Sequence, residues 1–471
     1  MPIQLSVDEV ALAHTPCHTR LPFRFGAVTV RAADLLTCRV TARAADRRQV
    51  FGWSADLLVP RWFRKDTAAT PAQDADELYA SAVAAGDAFV ARGAAEPFVA
   101  WRDVFAARVG SLPADAPDLL VRGFGVALLE RAMLDAACRL VELPFAAALR
   151  RDAFGFRPVD VHGGLLGWNW QRDLPEPRDE ITVRHTIGML DVLRERDLAP
   201  EQRLDDGLPQ TLERDVAAHG LVWFKVKIGA GFAADRARLL DLANFFAEQH
   251  RMFELTLDGN EQFDDLGQLA DLLEAVAADP RGRDLLHEVA WIEQPLPRAL
   301  TFVPERHRDL ARVTAFAPLI LDEADATPQS FVRALELGYR GVSVKNCKGV
   351  FRALCNFGLC RSAQGRFQSG EDLTNLPVLP LQQDLVTASV LGLSHVERNG
   401  HHYFRGLDHF PPTFAARVRG MHGDLYGDLA GGGAAVHIEH GRVRIGSLLA
   451  AVGYGHCLDD HATQLQCIAA R

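Results

Sequence analysis

Short apolar runs alternate with helix-like segments through the middle of this 471-residue chain. Five of the runs carry charged or amide side chains at or near their ends, and their spacing is roughly 30 residues, the length of one strand–helix–strand unit. The runs are Phe224–Ile228, Leu255–Asn260, Trp291–Pro295, Leu319–Glu323 and Val342–Lys345. This alternation predicts parallel strands joined by crossover helices.

The alternating pattern extends over residues 156–424, which suits one (β/α)8 TIM-type barrel of about 250 residues. Val159–Gly164 is interpreted as the first strand of this barrel. The proline-bearing link 169–221 is interpreted as an insertion without an assigned role. The segment Gln368–Asp372 on the seventh strand is also left without an assigned role. The predicted fold class is therefore α/β, built on a barrel.

The first 155 residues follow a different pattern. Three β-like runs separated by polar turns predict an antiparallel sheet. These runs are Phe25–Val30, Leu35–Val40 and Val50–Trp53. From Asp76 to Leu149 the chain is rich in alanine and leucine at helical spacing. Residues 1–155 are therefore predicted to form an α+β domain.

The alternation ends in the C-terminal segment, residues 425–471. Ala435–Ile438 and Arg442–Ile445 flank a glycine turn and predict a short hairpin. We expect this hairpin to return to the N-terminal sheet, so that both ends of the chain form one domain.

Charge and composition exclude several classes of protein. The net charge is −10 and there is no basic stripe, so nucleic acid is not an expected partner. The chain has no apolar run of membrane-spanning length, so no membrane association is expected. None of the eight cysteines forms a Cys-x-x-Cys pair, and Asp8 and Glu9 lie where a secretion signal would be apolar. These features predict a cytoplasmic protein with reduced thiols.

Three acidic residues follow successive apolar runs: Asp258, Glu293 and Asp322. Parallel strands would bring them to one rim of the barrel, where they would repel one another unless a cation lay among them. Oxygen ligands favour Mg²⁺, with Mn²⁺ as an alternative, over zinc. Glu323 is adjacent to Asp322 and is expected to support the third ligand rather than replace it.

Lysines flank these acids. Lys225 and Lys227 are two positions apart on one strand, so both should point into the barrel. Two ammonium groups beside a metal should lower each other's pKa, as a catalytic base requires. Lys345 is expected to face Lys227 across the barrel mouth, whereas Lys348 is expected to be a surface charge.

The chain resembles the enolase superfamily, specifically its muconate-lactonizing-enzyme-like subgroup. The shared motifs are Lys-Val-Lys, Asp-Gly-Asn, Ile-Glu-Gln-Pro, Asp-Glu and Val-Lys-Asn-Cys-Lys-Gly on five successive strands. The resemblance implies a capping domain over the barrel mouth and Mg²⁺ bound by the three acids. It also implies that Lys227 and Lys345 act as an acid–base pair. No histidine lies on the seventh strand, which disfavours the mandelate-racemase and sugar-acid-dehydratase branches.

Three groups are expected to support or extend this site. Asn260 and Glu323 would lie behind the metal ligands. In this fold two lid segments would close the mouth, here residues 18–25 and 58–64. Arg24 or Arg61 could hold a distal carboxylate of the substrate, and Trp62 could pack on an apolar part.

The predicted function is Mg²⁺-dependent removal of the proton α to a carboxylate in a small-molecule substrate. The metal and Lys225 would stabilise the enediolate, which could lead to racemisation or epimerisation, cycloisomerisation, or elimination. We also expect a homo-oligomer. Two alternatives remain open from the sequence: a Schiff-base lysine aldolase on the same barrel, and a non-catalytic binding protein.

Overall fold

The computed structural model describes residues 2–25, 28–65, 68–249 and 252–456. Its N-terminal part contains a three-stranded antiparallel sheet and five helices. The strands are β1 (Leu5–Phe25), β2 (Val28–Ala44) and β3 (Gln49–Leu57). The helices are α1 (Pro60–Phe63), α2 (Pro71–Arg92), α3 (Pro97–Phe105), α4 (Leu119–Leu140) and α5 (Phe145–Arg150). The predicted α+β capping domain is confirmed.

Helix α4 is buried along almost its whole length because it packs on the sheet and on α2. Two glycines permit this close approach. A Cβ atom at Gly52 on β3 would lie 2.1 Å from the Ala132 carbonyl oxygen, and one at Gly125 on α4 would lie 2.2 Å from the Ser81 carbonyl oxygen. Small residues are therefore required at both contacts.

The rest of the chain forms a closed eight-stranded parallel barrel with helices outside it, as the sequence predicts. The first half comprises α6 (Trp170–Asp173), β4 (Glu180–Ile187), α7 (Leu212–His219), β5 (Trp223–Lys227), α8 (Phe232–Gln249), β6 (Glu254–Asp258), α9 (Leu266–Ala277), α10 (Pro280–His287) and β7 (Val289–Glu293). The second half comprises α11 (Leu310–Thr314), β8 (Leu319–Leu321), α12 (Pro328–Glu336), β9 (Gly341–Val344), α13 (Val350–Arg361), β10 (Phe367–Gly370), α14 (Leu379–Val390) and β11 (His395–Arg398). Strand β11 pairs with β4 and closes the barrel.

The predicted first barrel strand is wrong. Within 159–164 the backbone forms short 3-10 turns, and the first barrel strand is β4, inside the link interpreted as an insertion. Adjacent glycines at 163 and 164 weaken a strand. In β4, by contrast, Arg184 and Thr186 contact groups inside the barrel while the intervening positions face outward.

The C-terminal segment contacts the N-terminal domain through residues other than those predicted. After the last barrel strand come α15 (Gly400–Tyr403) and α16 (Pro412–Met421), and the C-terminal segment itself contains β12 (Tyr426–Asp428), β13 (Ala434–Val436), β14 (Arg442–Arg444) and α17 (Gly446–Ala450). Strand β13 pairs with β12, and β14 pairs with β4 of the barrel, so the predicted hairpin does not extend the N-terminal sheet. Instead Tyr454 N donates to Asp135 at 2.6 Å, and His456 lies 3.2 Å from the same carboxylate.

The described cysteines are all buried and none forms a disulfide. Cys457 and Cys467 lie outside the described residues, as does the rest of the predicted segment beyond residue 456. No helix in the described ranges is long and apolar enough to cross a membrane. The domain boundaries at 155 and 424 stay predictions.

Candidate active site

Strand register brings the predicted residues to one rim of the barrel. Lys227 on β5 is paired with Asp258 on β6, and Asp258 is paired with Glu293 on β7. Asp322 and Lys345 directly follow β8 and β9. Because parallel strands end at the same edge, these side chains all lie at the carboxyl end of the barrel, where such folds carry their active sites.

The ammonium group of Lys225 lies among four carboxylates. Its Nζ atom is 2.6 Å from Glu371, 2.7 Å from Glu293, and 3.0 Å from both Asp258 and Glu397, and the side chain is fully buried. Burial alone would lower the pKa of Lys225, but the four negative charges, led by Asp258 and Glu293, raise that pKa well above its usual value. The expectation of a lowered pKa for Lys225 is therefore wrong.

The other two predicted catalytic lysines each contact a different acid of the rim. Lys227 Nζ lies 2.6 Å from Asp258, and Lys345 Nζ lies 2.6 Å from Asp322. Burial would lower the pKa of Lys345, but Asp322 raises it above its usual value. Both lysines are therefore held on the barrel rim by ion pairs.

Lys348 is buried, contrary to the prediction of a surface charge. Its Nζ atom donates to Ser343 Oγ at 2.6 Å and lies 3.2 Å from Asp325. The short helical turn Asn346–Lys348 folds the chain back towards the strand ends, which places this lysine in the site.

The three predicted metal ligands differ in their surroundings. Both carboxylate oxygens of Glu293 lack a hydrogen bond of good geometry. Burial, with the charges of Asp258 and Glu371, raises the pKa of Glu293 well above its usual value. Burial also acts to raise the pKa of Asp322, but Lys345 and Lys348 hold that pKa well below its usual value.

This donor set fits a hard cation, because it offers only oxygens and Glu293 has buried acceptors to satisfy. Among the described residues, the oxygens of Asp258, Glu293 and Asp322 do not gather into one set with all atoms within 4.8 Å. The ammonium group of Lys225 lies between Asp258 and Glu293 instead. A cation bound by all three acids would therefore share this space with Lys225.

Asn260 and Glu323 lie directly beside the acids. The Asn260 side-chain amide donates to Asp258 at 3.2 Å and to Glu323 at 3.4 Å. Burial raises the pKa of Glu323 to about 7 even though Lys65 lies 3.6 Å away. Asn260 thus links a predicted metal ligand to a carboxyl group whose pKa is raised by burial.

The sequence reasoning missed two acids, Glu371 and Glu397. Glu371 follows β10 directly, and it pairs with Arg184 as well as with Lys225. Glu397 lies on β11 and accepts a hydrogen bond from Thr186 at 2.7 Å. Neither acid follows an apolar run, because the strands before them carry polar residues such as Gln368 and His395; the available signal was only their position at the carboxyl ends of the last two barrel strands.

The capping domain covers Lys227 and Lys345. Phe23, Val59 and Trp62 lie over both lysines, and Lys345 Nζ is 4.5 Å from the centre of the Trp62 ring. The cavity that these residues line has about 20 Å³, room for about one water molecule. A carboxylate substrate could therefore enter only if these lid residues moved.

The two predicted arginines lie elsewhere. Arg61 is 3.0 Å from Asp74 and lines a separate cavity of about 740 Å³ between the domains, together with Arg64 and Lys65. Arg24 is exposed on β1. Only Trp62 among the three predicted substrate-binding residues lines the lysine cavity, and the roles of all three stay predictions.

Comparison with known protein families shows which of them this barrel resembles. Residues 208–418 match the model of the enolase C-terminal domain-like family. The barrel is an enolase-type domain. The resemblance indicated by the five strand-end motifs is thereby confirmed.

Solved structures of enolase-type proteins share the fold over nearly the whole chain. An enolase from Bradyrhizobium, complexed with magnesium and mandelic acid, has a TM-score of 0.61 and 18% identity over 98% of this chain and 99% of its own. A muconate lactonizing enzyme from Pseudomonas fluorescens, complexed with muconolactone, has a TM-score of 0.58 and 16% identity over 98% of both chains. The L-Ala-D/L-Glu epimerase from Bacillus subtilis has a TM-score of 0.57 and 13% identity over 92% of this chain and 97% of its own. No curated protein matches the sequence.

Proposed function

We propose that this enolase-type protein is a Mg²⁺-dependent racemase or epimerase that removes and returns the proton α to a carboxylate of a small molecule. The observation that carries the proposal is that Lys227 and Lys345 line one cavity from different strands of the rim. Inverting a carbon centre requires a base on each of its faces, whereas an elimination or a cycloisomerisation can proceed with one base.

Asp258, Glu293 and Asp322 would hold the Mg²⁺ ion, for which Mn²⁺ could substitute. When bound, the ion would supply positive charge to the substrate carboxylate as negative charge develops on it. The fit rests on oxygen-only donors and on buried Glu293, whose Oε1 has no hydrogen bond and whose Oε2 faces the Lys225 ammonium at 2.7 Å. A related fold with bound magnesium, the Bradyrhizobium enolase, supports this choice of metal.

Lys225 would act as a fixed positive charge. Its four carboxylate contacts and its raised pKa keep the amine protonated near neutral pH, so it can stabilise an anion but cannot accept a proton. Lys345 can act as a base only when the negative charge of Asp322 is offset, because Asp322 is the group that raises its pKa.

The lid would exclude water from the intermediate. Phe23, Val59 and Trp62 line the cavity beside the lysines, and their closure over a substrate would make the site water-poor, which strengthens each electrostatic contact within it. The same closure keeps bulk solvent from protonating the intermediate on either face.

The test is α-proton exchange in D₂O, followed by NMR over a panel of chiral carboxylates in the presence of Mg²⁺. Lys227→Ala should lose exchange for one enantiomer and keep it for the other, and Lys345→Ala should show the converse. Each variant thus controls for the folding of the other. The affected rate should fall by about 10²–10⁴.

Two outcomes would contradict the proposal. Wild-type exchange of both enantiomers in either lysine variant would show that the two lysines are not the bases. Covalent trapping of a substrate by borohydride, together with activity that survives EDTA, would identify a Schiff-base aldolase instead.

A further inference from the structure

A buried cluster of histidines and aspartates lies outside the barrel wall, apart from the proposed active site. Its first member, His185, is on β4 between Arg184 and Thr186, which both contact groups inside the barrel. Because strand side chains alternate, His185 points outward. Asp215 on α7 and His402 on α15 meet it there.

These three side chains lie close together and are all buried. They are 1%, 2% and 4% exposed for His185, Asp215 and His402, and one ligand atom from each lies within 4.8 Å of the others. His402 Nδ1 is 3.1 Å from Asp215 Oδ2. The rings of His185 and His402 have centres 5.2 Å apart.

Two of the buried atoms lack a hydrogen bond of good geometry, namely His402 Nδ1 and Asp215 Oδ2. They face each other at 3.1 Å, and a cation bound between them would give both buried atoms a well-directed partner. The His402 ring is oriented by a contact at its other nitrogen. His402 Nε2 faces Asp191 at 3.7 Å, and Tyr403 donates to the same carboxylate at 2.6 Å. Metal-bound histidines commonly turn their second nitrogen to a carboxylate in this way.

We infer that His185, Asp215 and His402 bind one transition-metal ion of the Zn²⁺ type. Two imidazoles and one carboxylate are a common zinc ligand set, and imidazole nitrogen favours such ions over Mg²⁺. The barrel mouth offers oxygens only, so the two sites would select different metals. The inference does not depend on the proposed function.

The position of the cluster suggests what a metal would do there. Strand β4 pairs with β11 at the closure of the barrel, and α15 follows β11 directly. Tyr403, next to His402, stacks on Phe23 with ring centres 4.2 Å apart. Phe23 covers the lysine cavity. A bound ion would therefore fasten the barrel closure and support one residue of the lid.

A proton is the competing occupant. Burial would lower the pKa of His402, but Asp215 and Asp191 raise it to about 10. A protonated His402 between two aspartates would satisfy the same atoms without a metal, and the experiment has to separate these states.

The experiment is Zn²⁺ titration of the full chain after treatment with a chelator, with metal content measured by elemental analysis. We expect one tightly bound Zn²⁺ per chain. Asp215→Asn and His402→Gln should each weaken it by about 100-fold or more, since loss of even an outer partner costs about 10–100-fold. Two control variants should keep the tightly bound Zn²⁺. His409→Gln alters a histidine that contacts the Pro377 carbonyl oxygen, and Glu293→Gln alters an acid at the barrel mouth.

A second measurement uses the unaltered chain, in case a variant fails to fold. Crystals soaked in Zn²⁺ should show an anomalous-scattering peak between β4, α7 and α15. A peak only in the barrel mouth, or the absence of tight Zn²⁺ binding in solution, would overturn the inference and leave His402 as a protonated member of an ion-pair cluster.

Discussion

Replacing Lys225 with methionine should destabilise the chain in the absence of Mg²⁺. The Nζ atom lies within 2.6–3.0 Å of Glu371, Glu293, Asp258 and Glu397. Methionine keeps most of the volume of lysine but leaves four buried carboxylates without their shared cation. Removing one partner of a buried ion pair costs about 3–5 kcal/mol. We expect the free energy of unfolding to fall by this amount.

The same substitution should increase the stabilisation that Mg²⁺ provides. Two unit charges 4 Å apart repel by about 4 kcal/mol at an effective dielectric constant of about 20, and a divalent ion would double that figure. Glu371 and Glu397 offset much of this repulsion. A residual of about 1.4 kcal/mol would still tighten Mg²⁺ binding tenfold, and at saturating Mg²⁺ it would add the same amount to stability.

The assay is urea denaturation at a series of Mg²⁺ concentrations for the wild type and Lys225→Met. Lys348→Met is the matched control, because it removes a second buried lysine that contacts Asp322 alone among the three proposed ligands. The control should show a smaller gain from Mg²⁺ than Lys225→Met. If Mg²⁺ stabilises Lys225→Met no more than the wild type, Lys225 does not compete with a cation and the proposed metal position is wrong.

Three further predictions concern single positions. Glu293→Gln should abolish Mg²⁺ binding in calorimetry, and an unchanged affinity would contradict its role as a ligand. Gly52→Ala should lower the free energy of unfolding by about 1–3 kcal/mol through its contact with Ala132; an unaltered urea midpoint would count against that packing. Burial and Arg184 lower the pKa of His395 to about 3. The unfolded chain therefore binds this proton first, and stability should fall as the pH drops from about 6.5 towards 3. His395→Phe should flatten that decline in urea titrations, and the same slope in both proteins would refute the assignment.

The barrel and its rim were predictable because local signals agreed. Lys225 and Lys227 are two positions apart on one strand and so share a face, and each predicted acid follows a short apolar run. The register of the paired strands then brings Lys227, Asp258 and Glu293 side by side. Such strand ends are fixed by sequence patterns a few residues long, so no long-range information was needed to place them on one edge.

The environment of each charge was not predictable in the same way. The pKa of Lys225 depends on Glu371 and Glu397, which come from strands more than 140 positions further along the chain. Lys348 appeared exposed because the turn that buries it lies after a strand end. The cluster of His185, Asp215 and His402 has no local signal at all, because its members come from three separate elements.

The contacts of the lysines argue for unequal roles. Lys225 shares its charge with four carboxylates and is fully buried, so neutralising any one of them leaves three to keep it protonated. Lys345 has one close acid, Asp322, and Lys227 has Asp258 at 2.6 Å with Glu397 only at 4.0 Å. A cation that engaged Asp258 and Asp322 would therefore release both outer lysines at once. Glu371 and Glu397 would still pair with Lys225 and keep it charged, which supports two bases acting beside one fixed positive charge.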